Sequence, residues 1–301
     1  MPNHETEVVH TGFHSIIRQG QLPSGEIYLS KHYGEKAERG FDVRFAFEMV
    51  NLMKRFTQIT ENLDIPIAQP HGYYISNNHF PGLANVVEVV PFKGTNLLDL
   101  CRDKNIPDRE LVNPINQYLD LFQKSWSSGF QISLDPPLAN FSLDGNRKLW
   151  YIDCMPPRQI REDGTLLSEW PVPPAAFRPF IEKRYFSPLQ SRVIYAQLLR
   201  GVSGRSFTPD DLKNIIGSRL GDRARGLINV PEAQVKNILD NPDITDVDNL
   251  RIISGEKFEQ GLIGEAKLKE IYHLTHITNG GILPPLSDVQ SAASLLKYQN
   301  N

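Results

Sequence analysis

A chain of 301 residues, 40% hydrophobic and 22% charged, is long enough for one large core or two smaller ones and has ordinary globular composition. Its formal net charge of −3 argues against a general nucleic-acid binder, which carries a basic face, while leaving room for a local basic pocket. Cys101 and Cys154 build no disulfide framework, no run of about eighteen apolar residues spans a membrane, and no signal-peptide pattern is visible, so a cytoplasmic protein is expected.

In chain order, His14–Gln21 and Glu26–Tyr33 flank Leu22-Pro23-Ser24-Gly25 and read as an antiparallel hairpin. Ile27, Leu29, Lys31 and Tyr33 share one face of the second run by period two. A helix is expected over roughly 37–56, where Val43, Phe47, Val50 and Met53 recur at helical spacing, with Arg44, Glu48 and Lys54 between them. Pro66 and Pro70 mark the loop beyond it. Val86-Val87-Glu88-Val89-Val90 is a β-branched run that suits a buried strand, closed by Pro91. Lys93-Gly94-Thr95-Asn96 is a connector, and helical periodicity follows over Leu97–Cys101 and Glu110–Trp126.

Further on, Phe141–Leu143 and Lys148–Ile152 flank Asp144-Gly145-Asn146, a strong hairpin signal. From Leu166 onward the pattern is mostly helical, broken repeatedly by proline. The order is therefore α+β: strands with one helix over residues 1–92, then a larger helical part holding one hairpin over 93–301.

The chemistry concentrates around that hairpin. Asp135 and Asn140 stand five apart, and Asp153 follows thirteen residues later. A hairpin folds the chain back so that residues at its start and end share an edge, while Pro136-Pro137 stiffen the loop holding Asp135. Carboxylate and amide oxygens are the hard donors that magnesium takes, with substrate phosphates and water completing the shell. A carboxylate not consumed by the metal can accept a proton from an attacking hydroxyl.

The spacing Asp135-Pro-Pro-Leu-Ala-Asn140 resembles the catalytic loop of protein kinases and of aminoglycoside- and choline-type phosphotransferases. The resemblance implies a two-lobed kinase-like fold that uses ATP and Mg2+, with Asp135 as the base and Asn140 and Asp153 as metal ligands. It also implies Lys31 against the α- and β-phosphates, Glu48 of the following helix paired with Lys31, and Gly12 within a short phosphate-covering turn. Backbone groups near Glu88 and Val90 would meet the adenine edge. The likeness spans roughly Gly12 to Arg158. Departures are plain: Ser133 stands where the superfamily usually has His, Leu134 where regulated protein kinases have Arg, and Cys154-Met155 follow Asp153. They favour a small-molecule type of enzyme over a protein kinase.

The expected activity is transfer of the γ-phosphoryl group to a hydroxyl of a small molecule or peptide. The acceptor would be held by Trp170, Phe177, Phe180, Tyr185 and Phe186 with Arg178, Lys183 and Arg184. A non-catalytic nucleotide- or partner-binding module, and nucleotidyl transfer on the same fold, are the alternatives. Taken singly, Lys31 also reads as a solvated edge-strand lysine, Glu48 as a surface acid with Glu38 its rival, and Asp135 as a turn residue. His273 and His276 read as ordinary polar positions, and no zinc is assigned.

Overall fold

The computed structural model describes residues 5–11, 15–33, 41–77, 81–127, 132–153, 158–159 and 190–221, with Ala224 and Gly264. The chain divides into two compact units, Met1–Gly94 with Ser142–Pro157, and Thr95–Phe141 with Arg158–Asn301. The segment that carries Asp153 thus belongs with the N-terminal strands.

The first unit is an antiparallel sheet with one long helix. Strands β1 (Glu5–Thr11), β2 (Ser15–Gln21) and β3 (Ile27–Tyr33) form a meander. Short β4 (Phe41–Asp42) leads into α1 (Val43–Asn62), and β5 (Gly72–Asn77) and β6 (Leu83–Pro91) complete the sheet. The β2–β3 turn is the expected Leu22–Gly25 one. Gly25 sits at φ 87° and its N–H donates to the Leu22 carbonyl at 2.9 Å. β6 pairs with β3 and also with β5, which makes it an interior strand, and its valines are buried as their β-branched run demands. Helix α1 begins at Val43 and buries Ala46, Met49, Val50, Met53 and Phe56, at i, i+3, i+4, i+7 and i+10. Val43 and Phe47, expected on the packed face, are 40% and 58% exposed. The apolar arc that fills the core starts at Ala46, about a third of a turn away.

In the second unit β7 (Thr95–Asn96) runs into α2 (Leu97–Arg102), whose first turn is capped by Asn96 accepting from the Asp99 N–H. Helix α3 (Asp108–Ser127) buries Leu111, Ile115, Tyr118, Leu119 and Phe122, and the rings of Tyr118 and Phe122 meet Phe141 at 4.7 and 5.9 Å. β8 (Ile132–Ser133) follows, then the hairpin β9 (Phe141–Leu143) and β10 (Leu149–Tyr151), which from Ser142 onward is counted with the first unit. The hairpin turn is built by Asp144, whose Oδ1 accepts from the N–H groups of Asn146 and Lys148, both at 2.9 Å. Its positive φ falls on Arg147, at 61°, not on Gly145. Trp150 donates to the other oxygen of Asp144 at 2.8 Å, and this bond holds the carboxyl below its ordinary range. β10 also joins the loop after α1, where Tyr151 donates to the Pro66 carbonyl and accepts from Ala68.

β11 (Arg158–Gln159) pairs with β8. Helices α4 (Gln190–Gly201) and α5 (Pro209–Leu220) belong to the second unit, α5 packing on α3 and on α4. Arg205, between them, is 3% exposed and bonds the carbonyls of Leu100, Cys101, Asp103 and Ile106 as well as Asp108. Burial pushes the nearby Cys101 thiol up to about 12, so it carries no thiolate chemistry. The described residues are of the α+β class expected: an antiparallel sheet with one long helix in the first unit and mainly helices in the second. Among the described residues no helix is long and apolar enough to cross a membrane.

Candidate active site

Two groups of candidate residues are assembled, one in each unit. In the first, Lys31 lies on the interior strand β3 and is 4% exposed, so it is not the solvated edge lysine that its sequence position also allowed. Its ammonium stands 3.6 Å from Glu88 Oε2 and 3.6 Å from Asp153 Oδ1, and it donates to the Ile152 carbonyl. Tyr33, two residues along the same face of β3, donates its hydroxyl to Glu88 Oε2 at 3.1 Å. Glu88 is fully buried, and its Oε1 has no hydrogen-bond partner among the described residues. An unsatisfied carboxylate atom in an apolar strand costs on the order of 1–3 kcal/mol, and the lysine charge beside it is what offsets that. Asp153, at the far end of β10, keeps about a fifth of its side chain in solvent (21%).

The second group is the loop before the hairpin. Asp135 and Asn140 are brought together by the 3₁₀ turn Leu138–Asn140, which closes with the Asn140 N–H on the Pro137 carbonyl at 2.9 Å. Asn140 Nδ2 donates to Asp135 Oδ2 at 3.0 Å. That bond uses the amide nitrogen and leaves the amide oxygen, the hard donor that magnesium requires, for another partner. The loop is anchored on both sides. Tyr118 of α3 donates to the Pro136 carbonyl at 2.7 Å, and Gln190 of α4 donates to the Leu134 carbonyl at 3.1 Å while accepting from Trp126 at 2.8 Å. Leu134 and Leu138 point into the core, at 0% and 1% exposure, so Asp135 and Asn140 ride on a backbone fixed by their neighbours.

Glu48 lies on α1 with its side chain exposed. The buried acid beside Lys31 is Glu88, from the adjacent strand. Glu88 sits between Lys31 of β3 and Tyr73 of β5, and Val90 sits opposite Leu29, so both backbones lie within the sheet. Glu88 therefore enters the cluster through its side chain, whereas the family resemblance implied a role for its backbone. Gly12, Cys154, the aromatic and basic residues at 170–186, and His273 and His276 lie outside the described residues. Among the described residues no group of three or more His, Cys, Asp or Glu is arranged to hold a metal. The pair expected from the sequence, the Asp153 carboxylate with the Asn140 amide, contains a single acid and is not a group of that kind.

Sequence reasoning passed over Tyr33, Tyr118, Gln190 and the Glu88 carboxylate. Only Glu88 carried a signal, as a lone acid inside a run of valines. The other three act through tertiary contacts.

No family model matches the chain. No curated protein matches it either. Among solved structures, a MAP kinase from Leishmania major aligns over 99% of this chain and 94% of its own, at 12% identity and a TM-score of 0.38. WaaP in complex with acyl carrier protein aligns over 96% of this chain and 88% of its own, at 10% identity and a TM-score of 0.39. At such scores neither neighbour informs the chemistry of this chain, which follows from its own residues.

Proposed function

We propose that the chain is an ATP- and magnesium-dependent phosphotransferase that moves the γ-phosphoryl group to a hydroxyl of a small molecule or peptide. The observation that carries this reading is the buried Lys31, held between two carboxylates on an interior strand. A cation kept out of water at the cost of desolvating two acids suits a fixed phosphate clamp better than a structural tie, since a buried pair of this kind adds little net stability. The donor set supports the same reading: the Asp153 carboxylate and the Asn140 amide oxygen are ligands of the hard type that a magnesium–nucleotide complex takes.

In this mechanism Lys31 binds the α- and β-phosphates as a point charge with three donors. Asn140 and Asp153 would hold magnesium, which supplies charge neutralisation on the phosphates when bound. Asp135, fixed by the Asn140 amide and by the anchored loop, orients the acceptor hydroxyl and takes its proton as the oxygen attacks. The adenine would lie against the end of β6, near Val90.

The test is thermal shift with ATP in the presence and absence of magnesium, followed by transfer from γ-labelled ATP to a panel of hydroxyl acceptors. Asp135→Asn is expected to lower transfer by about 10²–10⁴-fold with nucleotide affinity retained. Wild-type turnover in Asp135→Asn would remove the base from the scheme. Product mass separates phosphoryl from nucleotidyl transfer, and binding without any turnover identifies a non-catalytic module.

A further inference from the structure

Lys31 is flanked by two acids, and under the function proposed above only one of them has another task. Asp153 is partly exposed and is the one assigned to magnesium. Glu88 is wholly enclosed and stands directly opposite Lys31 in the β3–β6 register. We propose that Glu88, braced by Tyr33, is the residue that positions the Lys31 ammonium for the nucleotide phosphates. The proposal rests on the nucleotide-binding reading and deepens it.

Four observations carry it. Residues directly opposite on an antiparallel pair point to the same side of the sheet, so the backbone ladder itself fixes how far Glu88 lies from Lys31. Tyr33 bonds Oε2 and holds the carboxylate in its rotamer. Oε1 has no hydrogen-bond partner among the described residues, so the carboxylate keeps an acceptor for the ammonium. Glu48, the acid that the family likeness nominates for this task, sits on α1 with an exposed side chain. The consequence is specific: the placement of Lys31 is built into the sheet register, and a displacement of α1 does not release it. Glu88 is a positioning residue, acting through Lys31 without touching substrate.

The experiment compares the wild-type chain with Glu88→Gln, Glu88→Asp, Tyr33→Phe and Glu48→Gln. An acyl-phosphate derivative of ATP acylates an amine lying near its phosphates; the amine attacks the acyl carbon and ATP leaves. Acylation of the Lys31 peptide is read by mass spectrometry, and the Kd of methylanthraniloyl-ATP with magnesium by fluorescence. Glu88→Gln is expected to lower Lys31 acylation by about tenfold or more, corresponding to roughly 1.4 kcal/mol. Tyr33→Phe lowers it several-fold, and Glu88→Asp recovers part of the Glu88→Gln loss, which a merely structural role does not produce. Wild-type acylation in both Glu88→Gln and Tyr33→Phe overturns the proposal, as does a loss in Glu48→Gln that Glu88→Gln does not share. Should Glu88→Gln fail to fold, Tyr33→Phe and Glu88→Asp decide the matter by the same readout. A wild-type chain that neither binds methylanthraniloyl-ATP nor is acylated at Lys31 sinks the phosphotransferase reading itself, and this proposal with it.

Discussion

Replacing Lys31 by methionine removes the ammonium while keeping an unbranched stem of similar volume in the sheet. Glu88 is then left as a carboxylate with no solvent exposure and, among the described residues, with the Tyr33 hydroxyl as its hydrogen-bond donor. Breaking a buried pair by deleting one partner costs about 3–5 kcal/mol. Asp153 also loses its pair, but it is partly exposed, and that adds at most about 1 kcal/mol. The double variant Lys31→Met/Glu88→Gln strands no fully buried charge and is expected within about 1–2 kcal/mol of the wild type, because neutral replacement of a buried pair is close to neutral in stability. The double variant should thus be roughly 2–3 kcal/mol more stable than Lys31→Met alone, a rescue that only a buried charge pair produces. Urea unfolding, followed both by tryptophan fluorescence and by far-ultraviolet circular dichroism, measures it, and coincidence of the two transitions licenses the two-state treatment. A Lys31→Met loss below about 1 kcal/mol, or a double variant no more stable than Lys31→Met, refutes the reasoning that Glu88 is a buried charge neutralised by Lys31.

Arg205 ties the start of α3 and the end of α2 to the segment before α5, and Arg205→Ala is expected to cost about 3–5 kcal/mol in the same urea assay. Arg205→Lys keeps the charge but not the planar fork and should recover less than half of that loss; full recovery would show that charge alone matters. Asp108, bonded by Ser206 and then by Arg205, has its carboxyl lowered to about 2. A depressed carboxyl contributes stability that is complete above the ordinary carboxylate range, near 4, and is lost as pH falls towards 2. Asp108→Asn should therefore flatten the acid limb of the stability profile, and an unchanged limb assigns the acid sensitivity elsewhere. Gly94 has φ +97°, and a Cβ there would collide with the Leu143 carbonyl oxygen. Gly94→Ala is expected to destabilise by about 2 kcal/mol or more, read by thermal melting; a melt within about a degree of the wild type contradicts the close approach.

Local signals in the sequence decided the β2–β3 and β9–β10 hairpins, strand β6 and the spacing of Asp135 and Asn140. The Pro-Ser-Gly turn, the valine run of β6 and the Asp144 hairpin are short-range features, each set by residues a few positions apart and each legible from the chain alone. The spacing of Asp135 and Asn140 was equally legible, because a single 3₁₀ turn joins them. The facing of α1 was only half legible: periodicity gives a helix, but which arc meets the sheet depends on β6, far along the chain. The partner of Lys31 was not legible at all. The choice between Glu48 and Glu88 turns on β6 lying beside β3, a pairing between residues 57 positions apart that strand propensity cannot rank. Tertiary structure made that choice because a buried charge must be answered by whatever acid the sheet order brings within reach, however distant it is in sequence.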